Sequence, residues 1–217
     1  MSLNATSMPR LARTRVKFCG FTRSQDVTDA VALGADALGF VMWPGSKRAI
    51  DVSTLASLAT LVPAFVTRVG LFVNPTPEEV QACLPWLDLL QFHGDESPEF
   101  CAQFGRAWIK ALRMRDDIDL SAAQQDYAGA NALLLDAWRP GVPGGTGETF
   151  DWSRIPDDLV KPVILAGGLD AEIVGQAITA VAPYAVDVSG GIEVSAGCKG
   201  VEHMQAFMAA VRAADHG

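Results

Sequence analysis

The chain has 217 residues, 49% hydrophobic and 19% charged, with a net charge of −8. This composition suits one compact domain with a large buried core, and the acidic balance argues against nucleic acid or an acidic membrane surface as partner. Four scattered cysteines and three histidines, with no CxxC, HxH or HExxH spacing, argue against a disulfide framework and a zinc site.

Residues 1–13 carry no apolar signal-peptide core and read as a mobile N-terminal extension, with the domain running from 14 to 217. No apolar stretch approaches the roughly 20 residues of a membrane span. The expected location is therefore cytoplasmic, with no membrane partner. From there short apolar runs alternate with helical patterns. The predicted strands are Val16–Cys19, Ala37–Met42, Thr67–Val73, Leu87–Phe92, Ala107–Leu112, Ala132–Leu135, Val163–Ala166 and Ala185–Val188. Most are continuous apolar runs, as parallel strands buried on both faces should be. Between them, Ser24 can cap a helix to Leu33 that stops at Gly34, and Ser53 begins a second up to Leu61. Thr76-Pro77-Glu78-Glu79 and Ser97-Pro98-Glu99 are helix starts with proline in the first turn. The last two helices are expected over Asp170–Ala180 and Val201–Arg212, and Pro140–Gly147 is the longest loop.

Eight strand–helix units in strict alternation predict an α/β fold, a single-domain (β/α)₈ TIM barrel with a closed, parallel eight-stranded sheet. Such barrels usually need about 250 residues, with ~200 as a lower limit, so the loops should be short. An open doubly wound sheet is the structural alternative. It would carry a dinucleotide fingerprint after strand 1, where this chain has Cys19-Gly20-Phe21-Thr22-Arg23.

Chemistry in such barrels sits at the C-terminal ends of the strands. Two apolar runs end in glycine pairs there, Gly167-Gly168 and, after Asp187 and Ser189, Gly190-Gly191. Loops after strands 7 and 8 that expose backbone N–H groups form an anion cup suited to phosphate. A small phosphorylated molecule is thus the expected ligand. The other strand-end candidates are Cys19, Arg48, His93, Asp136 and the loop Gly144-Gly145-Thr146-Gly147. Each also has a plainer reading. Buried cysteines are most often small hydrophobes, strand-end aspartates are often turn residues, arginine is commonly a solvated charge, and a strand-end histidine can simply bond a carbonyl.

Seven segments in order, spanning Thr14 to Arg212, carry a resemblance. They are Val16-Lys17-Phe18-Cys19-Gly20; Gly39-Phe40-Val41 followed by Pro44-Gly45-Ser46-Lys47-Arg48; Leu90-Gln91-Phe92-His93-Gly94; Leu134-Leu135-Asp136; Gly144–Gly147 with Phe150-Asp151-Trp152; Leu165–Leu169; and Val186–Glu193. In these the chain resembles phosphoribosylanthranilate isomerase of tryptophan biosynthesis. The resemblance implies an Amadori rearrangement that takes N-(5-phosphoribosyl)anthranilate to the 1-deoxyribulose 5-phosphate, with no cofactor and no metal. It implies Asp136 as acid, Cys19 as base and Arg48 as grip on the anthranilate carboxylate. His93 is a candidate substrate contact, Asp187 either bonds the sugar hydroxyls or orients the loop behind it, and the position of Gly144–Gly147 after strand 6 favours a lid over a plain flexible connector. Trp43 is a candidate to flank the aromatic ring. A carboxyl acid should be buried to hold its proton, and a cysteine base should be thiolate part of the time. Lys17, two residues from Cys19, should point to the same side. The chain is expected to act as a monomer. Two alternatives stand beside this reading: another aminoaldose–aminoketose phosphosugar isomerase, whose histidine-pathway form would carry an aspartate where Cys19 stands, and a catalytically silent phosphate-binding barrel.

Overall fold

Continuous apolar runs can be satisfied only where both faces of a strand are covered, and here they close on themselves. The computed structural model describes residues 13–137, 149–156 and 158–217. Its strands are β1 (Arg15–Cys19), β2 (Ala37–Val41), β3 (Thr67–Phe72), β4 (Leu89–Phe92), β5 (Ala107–Arg113), β6 (Ala132–Asp136), β7 (Val163–Leu165) and β8 (Ala185–Val188). Each pairs in parallel with the next, and β1 pairs with β8 to complete the barrel. No strand end lies more than two residues from its expected place.

The surrounding helices are α1 (Ser24–Leu33), α2 (Val52–Ala59), α3 (Pro77–Cys83), α4 (Pro98–Ala102), α5 (Leu120–Asp126), α6 (Val174–Val181) and α7 (Val201–His216). Between β6 and β7 the described residues hold a 3₁₀ turn, Trp152–Arg154. A short hairpin, β9 (Glu193–Ser195) and β10 (Cys198–Lys199), follows β8 outside the barrel sheet. Thr76 and Ser97 cap α3 and α4 as expected, and Gly34 ends α1 in the left-handed region. Ser24, by contrast, is the first helical residue of α1, behind Arg23 at the N-cap. Ser53 is likewise inside α2, because Asp51 is the better acceptor and takes the Thr54 N–H at 2.7 Å.

Alternation along each strand divides large from small side chains. Ile109, Ala111, Ala132, Leu134, Ile164, Ala166 and Ala185 fill the barrel centre. Phe18, Phe40, Phe72 and Phe92 are buried on the other face, against the helices. Phe92 alone meets Phe72, Phe100, Phe104 and Trp108 at ring separations of 5.9 to 6.4 Å.

A recurrent clasp sits at the opposite end of the barrel from the loops that matter for chemistry. The residue before β2, β4 and β6 is Asp36, Asp88 or Asn131. Its side chain accepts from the backbone N–H of Val16, Arg68 or Trp108 on the preceding strand, at 2.9 to 3.0 Å. Its own N–H donates back to the carbonyl of that same residue. Each clasp fixes the register of one strand pair, and a slip by one residue would turn inward side chains outward. Asp36 also holds Arg13, which the sequence placed in the mobile extension, through Nη1 at 2.8 Å.

Burial opposes ionisation of Asp36, but the Arg13 and Val16 donors outweigh it and hold its carboxyl below the usual aspartate value. A depressed folded-state pKa stabilises above the unfolded value, near pH 4, and that contribution fades as pH falls through the folded value. Asp36→Ala should therefore cost about 1–2 kcal/mol at neutral pH, the exposed Arg13 adding little. Urea unfolding should show the gap to wild type narrowing towards about pH 3. A gap independent of pH would mean the carboxylate charge contributes nothing.

Candidate active site

Residues at the C-terminal strand ends that share the inward face meet in one cavity of about 310 Å³. It brings together Cys19, Arg48, His93, Asp136, Gly167, Gly168, Asp187, Ser189, Gly190 and Gly191. Trp43 lines it too. Gly144 and Gly145, with the rest of the expected lid to Gly147, lie outside the described residues.

Cys19 ends β1 and is buried. Its strand neighbour is Gly39, and a Cβ there would sit 2.6 Å from the Cys19 Sγ, so the thiol occupies space that only glycine leaves. Two residues back, Lys17 is also inward and buried, and its Nζ donates to Asp187 Oδ1 at 2.8 Å. Burial pushes the Cys19 thiol up and prevails: the Lys17 charge pulls it down, Asp187 opposes Lys17, and the thiol stays above its ordinary value. Burial likewise works against the Lys17 ammonium, yet Asp187 and Cys19 more than restore it. The cation beside the thiol is thus secure.

Across the cavity, β6 delivers Asp136 behind Leu133, Leu134 and Leu135, all fully buried. Asp136 Oδ2 lies 3.1 Å from His93 Nε2, and His93 Nδ1 lies 3.2 Å from Gln91 Nε2. An amide N–H donated to Nδ1 leaves the ring proton on Nε2, directed at Asp136. Gln91 is buried, and its Oε1 has no partner among the described residues. Arg113, at the end of β5, donates from Nη2 to the His93 carbonyl at 3.2 Å.

Arg48 follows β2 and passes its stem over Gly20, whose φ is +86° and where a Cβ would lie 2.5 Å from Arg48 Cδ. Its guanidinium faces the cavity but is not unpaired. Nε and Nη2 form a fork on Glu193 Oε1 and Oε2 at 2.8 and 2.7 Å. That pairing raises the Arg48 pKa further and leaves the Nη1 side without a protein partner among the described residues.

The glycine loops touch each other. A Cβ on Gly191 would strike the Leu169 carbonyl and come within 3.0 Å of Asp170, so the tight position is Gly191; a Cβ on Gly190 would make only an ordinary contact, 3.7 Å from Arg48 Nη2. Gly167 and Gly168 both have positive φ. The loop after β7 does not run straight into a helix, as the sequence suggested: α6 starts only at Val174, because the Asp170 side chain first takes the Glu172 and Ile173 N–H groups in a turn. After β8, Gly190–Ile192 form a 3₁₀ turn without a side-chain cap, leaving its leading N–H groups exposed to the cavity. The Ser189 hydroxyl is turned away, donating to the Cys19 carbonyl at 2.9 Å.

The sequence matches the family model "PRAI: N-(5'phosphoribosyl)anthranilate (PRA) isomerase" over residues 16–210. The chain belongs to this family. It is 62% identical over 201 residues to N-(5'-phosphoribosyl)anthranilate isomerase of Chromohalobacter salexigens, covering 93% of this chain and 95% of that one. The Pseudomonas putida F1 enzyme of the same name is 54% identical, covering 94% and 100%. Among solved structures, phosphoribosyl anthranilate isomerase of Thermotoga maritima superposes with a TM-score of 0.85 at 38% identity, covering 92% and 99%. A phosphoribosyl anthranilate isomerase in complex with reduced 1-(o-carboxyphenylamino)-1-deoxyribulose 5-phosphate gives 0.82 at 35%, with the same coverage.

Four residues in or behind the cavity wall were not singled out from sequence: Gln91 and Arg113, which line it, and Glu193 and Lys199, which stand behind Arg48 and Cys19. Gln91 and Glu193 stand inside quoted motifs, and an inward position two residues before His93 was the available signal for Gln91. Lys199 carries no such signal, since it reaches the site from outside the barrel. Gly39 was quoted without a role, and its role is space for the thiol. Gly39→Ala should cut turnover about 10²-fold by displacing Sγ while the fold persists. Wild-type kcat in a folded variant would show that the thiol position is not critical.

Proposed function

We infer that this chain catalyses the Amadori rearrangement of N-(5-phosphoribosyl)anthranilate to 1-(2-carboxyphenylamino)-1-deoxyribulose 5-phosphate, a step of tryptophan biosynthesis. The observation that carries the reading is a buried thiol beside a secure cation on β1, facing a His93-bonded carboxyl on β6 across one cavity. An aminoaldose-to-aminoketose conversion needs one acid and one base, and that is what these two walls offer.

Asp136 is read as the acid. With Oδ2 accepting from His93 Nε2–H, its other oxygen can hand a proton to the ribose ring oxygen; the ring opens as the anilino nitrogen forms the Schiff base. The carboxylate left behind keeps the His93 hydrogen bond. Cys19 thiolate then removes the C2 proton, the electrons move towards the iminium, and an enolamine results. Protonation at C1 and loss of the C2 hydroxyl proton yield the ketone. Lys17 supports the thiolate, and Asp187, with one oxygen on Lys17, has the other for a sugar hydroxyl, as Gln91 Oε1 does. The phosphate is assigned to the N–H groups of Gly168, Gly190 and Gly191, which suits a protein of net charge −8. Arg48 is assigned to the anthranilate carboxylate through its Nη1 side.

No helix among the described residues is long and apolar enough to cross a membrane. The conversion of a phosphorylated sugar supports a cytoplasmic setting. The plainest test of function is rescue of growth without tryptophan in a strain lacking this isomerase; failure with well-expressed protein would remove the assignment.

Cys19→Ala and Asp136→Asn should each lower kcat about 10²–10⁴-fold while a reduced product analogue still binds within a few-fold of wild type. Near-normal turnover in either variant rejects that residue's part. Removing Lys17 removes the charge that opposes burial at Cys19, so the thiol should ionise at higher pH still. In Lys17→Met/Asp187→Asn, which spares the fold an unpaired buried charge, the rising limb of the pH–kcat profile should lie at more alkaline pH than in Asp187→Asn alone, the proper reference because Asp187 itself pushes the thiol up. An unmoved limb would separate Lys17 from the base.

A further inference from the structure

The hairpin β9–β10 has no place in the barrel sheet, yet it sends two charged side chains towards the cavity wall. Glu193, its first residue, receives four donors: Arg48 Nε at 2.8 Å, Arg48 Nη2 at 2.7 Å, Lys199 Nζ at 2.8 Å and the Gly197 N–H at 3.1 Å. Lys199 is buried and donates as well to the Cys19 carbonyl at 2.6 Å and the Ser189 carbonyl at 3.2 Å. One ammonium thus ties the strand that carries the thiol, the loop after β8 and the carboxylate that holds Arg48.

A guanidinium has two edges that can each take a carboxylate in a fork: the side edge, Nε with Nη2, and the end edge, Nη1 with Nη2. Glu193 occupies the side edge completely. The end edge is left for a ligand, and Arg48 cannot turn about its stem to offer the other one without breaking two charge-assisted bonds. Gly20 removes the remaining freedom, since the stem lies against its bare Cα. A long, flexible arginine is held in the conformation that binding would otherwise have to select. The charges then alternate: Lys199, Glu193, Arg48, ligand carboxylate.

We propose that Glu193, braced by Lys199, is the positioning residue that presents the Nη1–Nη2 edge of Arg48 to the substrate's anthranilate carboxylate. The proposal rests on the reading of Arg48 as carboxylate clamp. Because Glu193 follows directly on the Gly190–Ile192 turn, the same short segment serves both the carboxylate end and the phosphate end of the ligand.

The test compares wild type, Glu193→Gln, Arg48→Ala and the double variant by calorimetry. The probes are reduced 1-(2-carboxyphenylamino)-1-deoxyribulose 5-phosphate and ribose 5-phosphate, which lacks the carboxylate. Turnover is measured alongside. Glu193→Gln should weaken the first probe about ten- to hundredfold, leave ribose 5-phosphate within about twofold, and raise KM more than it lowers kcat. The double variant should bind no more weakly than Arg48→Ala alone, because Glu193 acts through Arg48. If Arg48→Ala itself leaves the first probe unaffected, the clamp reading fails and takes the proposal with it. If Arg48→Ala weakens that probe and Glu193→Gln does not, or tightens it, the clamp stands and the proposal is overturned. Equal losses for both probes, or losses that multiply in the double variant, would make Glu193 merely structural and also overturn it. Should Glu193→Gln fail to fold, Glu193→Asp, which keeps the charge and shortens its reach, makes the same comparison.

Discussion

Closure of β1 onto β8 in one register is the constraint on which the site depends. That register sets Lys17 opposite Asp187, both inward and both buried. Desolvating two charges is costly, and such a pair does not by itself stabilise a fold. It does penalise error: any slip of the β1–β8 seam would leave a buried ammonium and a buried carboxylate each without its partner. The seam therefore has one low-energy register, and in it the thiol two residues beyond Lys17 arrives at the cavity with a cation at its side.

The remaining seams use different means to the same end. At the far end of the barrel the clasps of Asp36, Asp88 and Asn131 lock β2, β4 and β6 to their predecessors through backbone N–H groups. The end that binds ligand is free of this task, so its loops can carry polar groups with unfilled bonding capacity. Gln91 Oε1 is such a group: buried and with no partner among the described residues, it is tolerable only because stability is secured elsewhere. The β9–β10 hairpin extends this division, since it braces the cavity from outside without altering the barrel.

How far the sequence could be read differs between parts. The eight strands were legible because each is a continuous apolar run, and burial on both faces demands little else. Helix starts were legible where Thr76 and Ser97 precede proline. They were misread at Ser24, Ser53 and Asp170, because several capping-type residues stand near each start, and which one caps depends on how the loop arrives. Single residues at strand ends were legible as candidates, since position two and the end of an apolar run fix both direction and depth. Their partners were not, because hydrogen bonds such as Arg48–Glu193 and Lys199–Cys19 join residues 145 and 180 positions apart.

By itself, then, the sequence determined which residues face inward, where the strands end, and that glycine pairs stand after two of them; alternation and burial are local rules that leave little choice. Only the tertiary structure decided what those residues do to one another. The Nη1 edge of Arg48, the space Gly39 leaves for Cys19, and the contact of Gly191 with Leu169 all arise where distant strands meet. The distances that matter there are a few tenths of an ångström finer than any periodicity can specify.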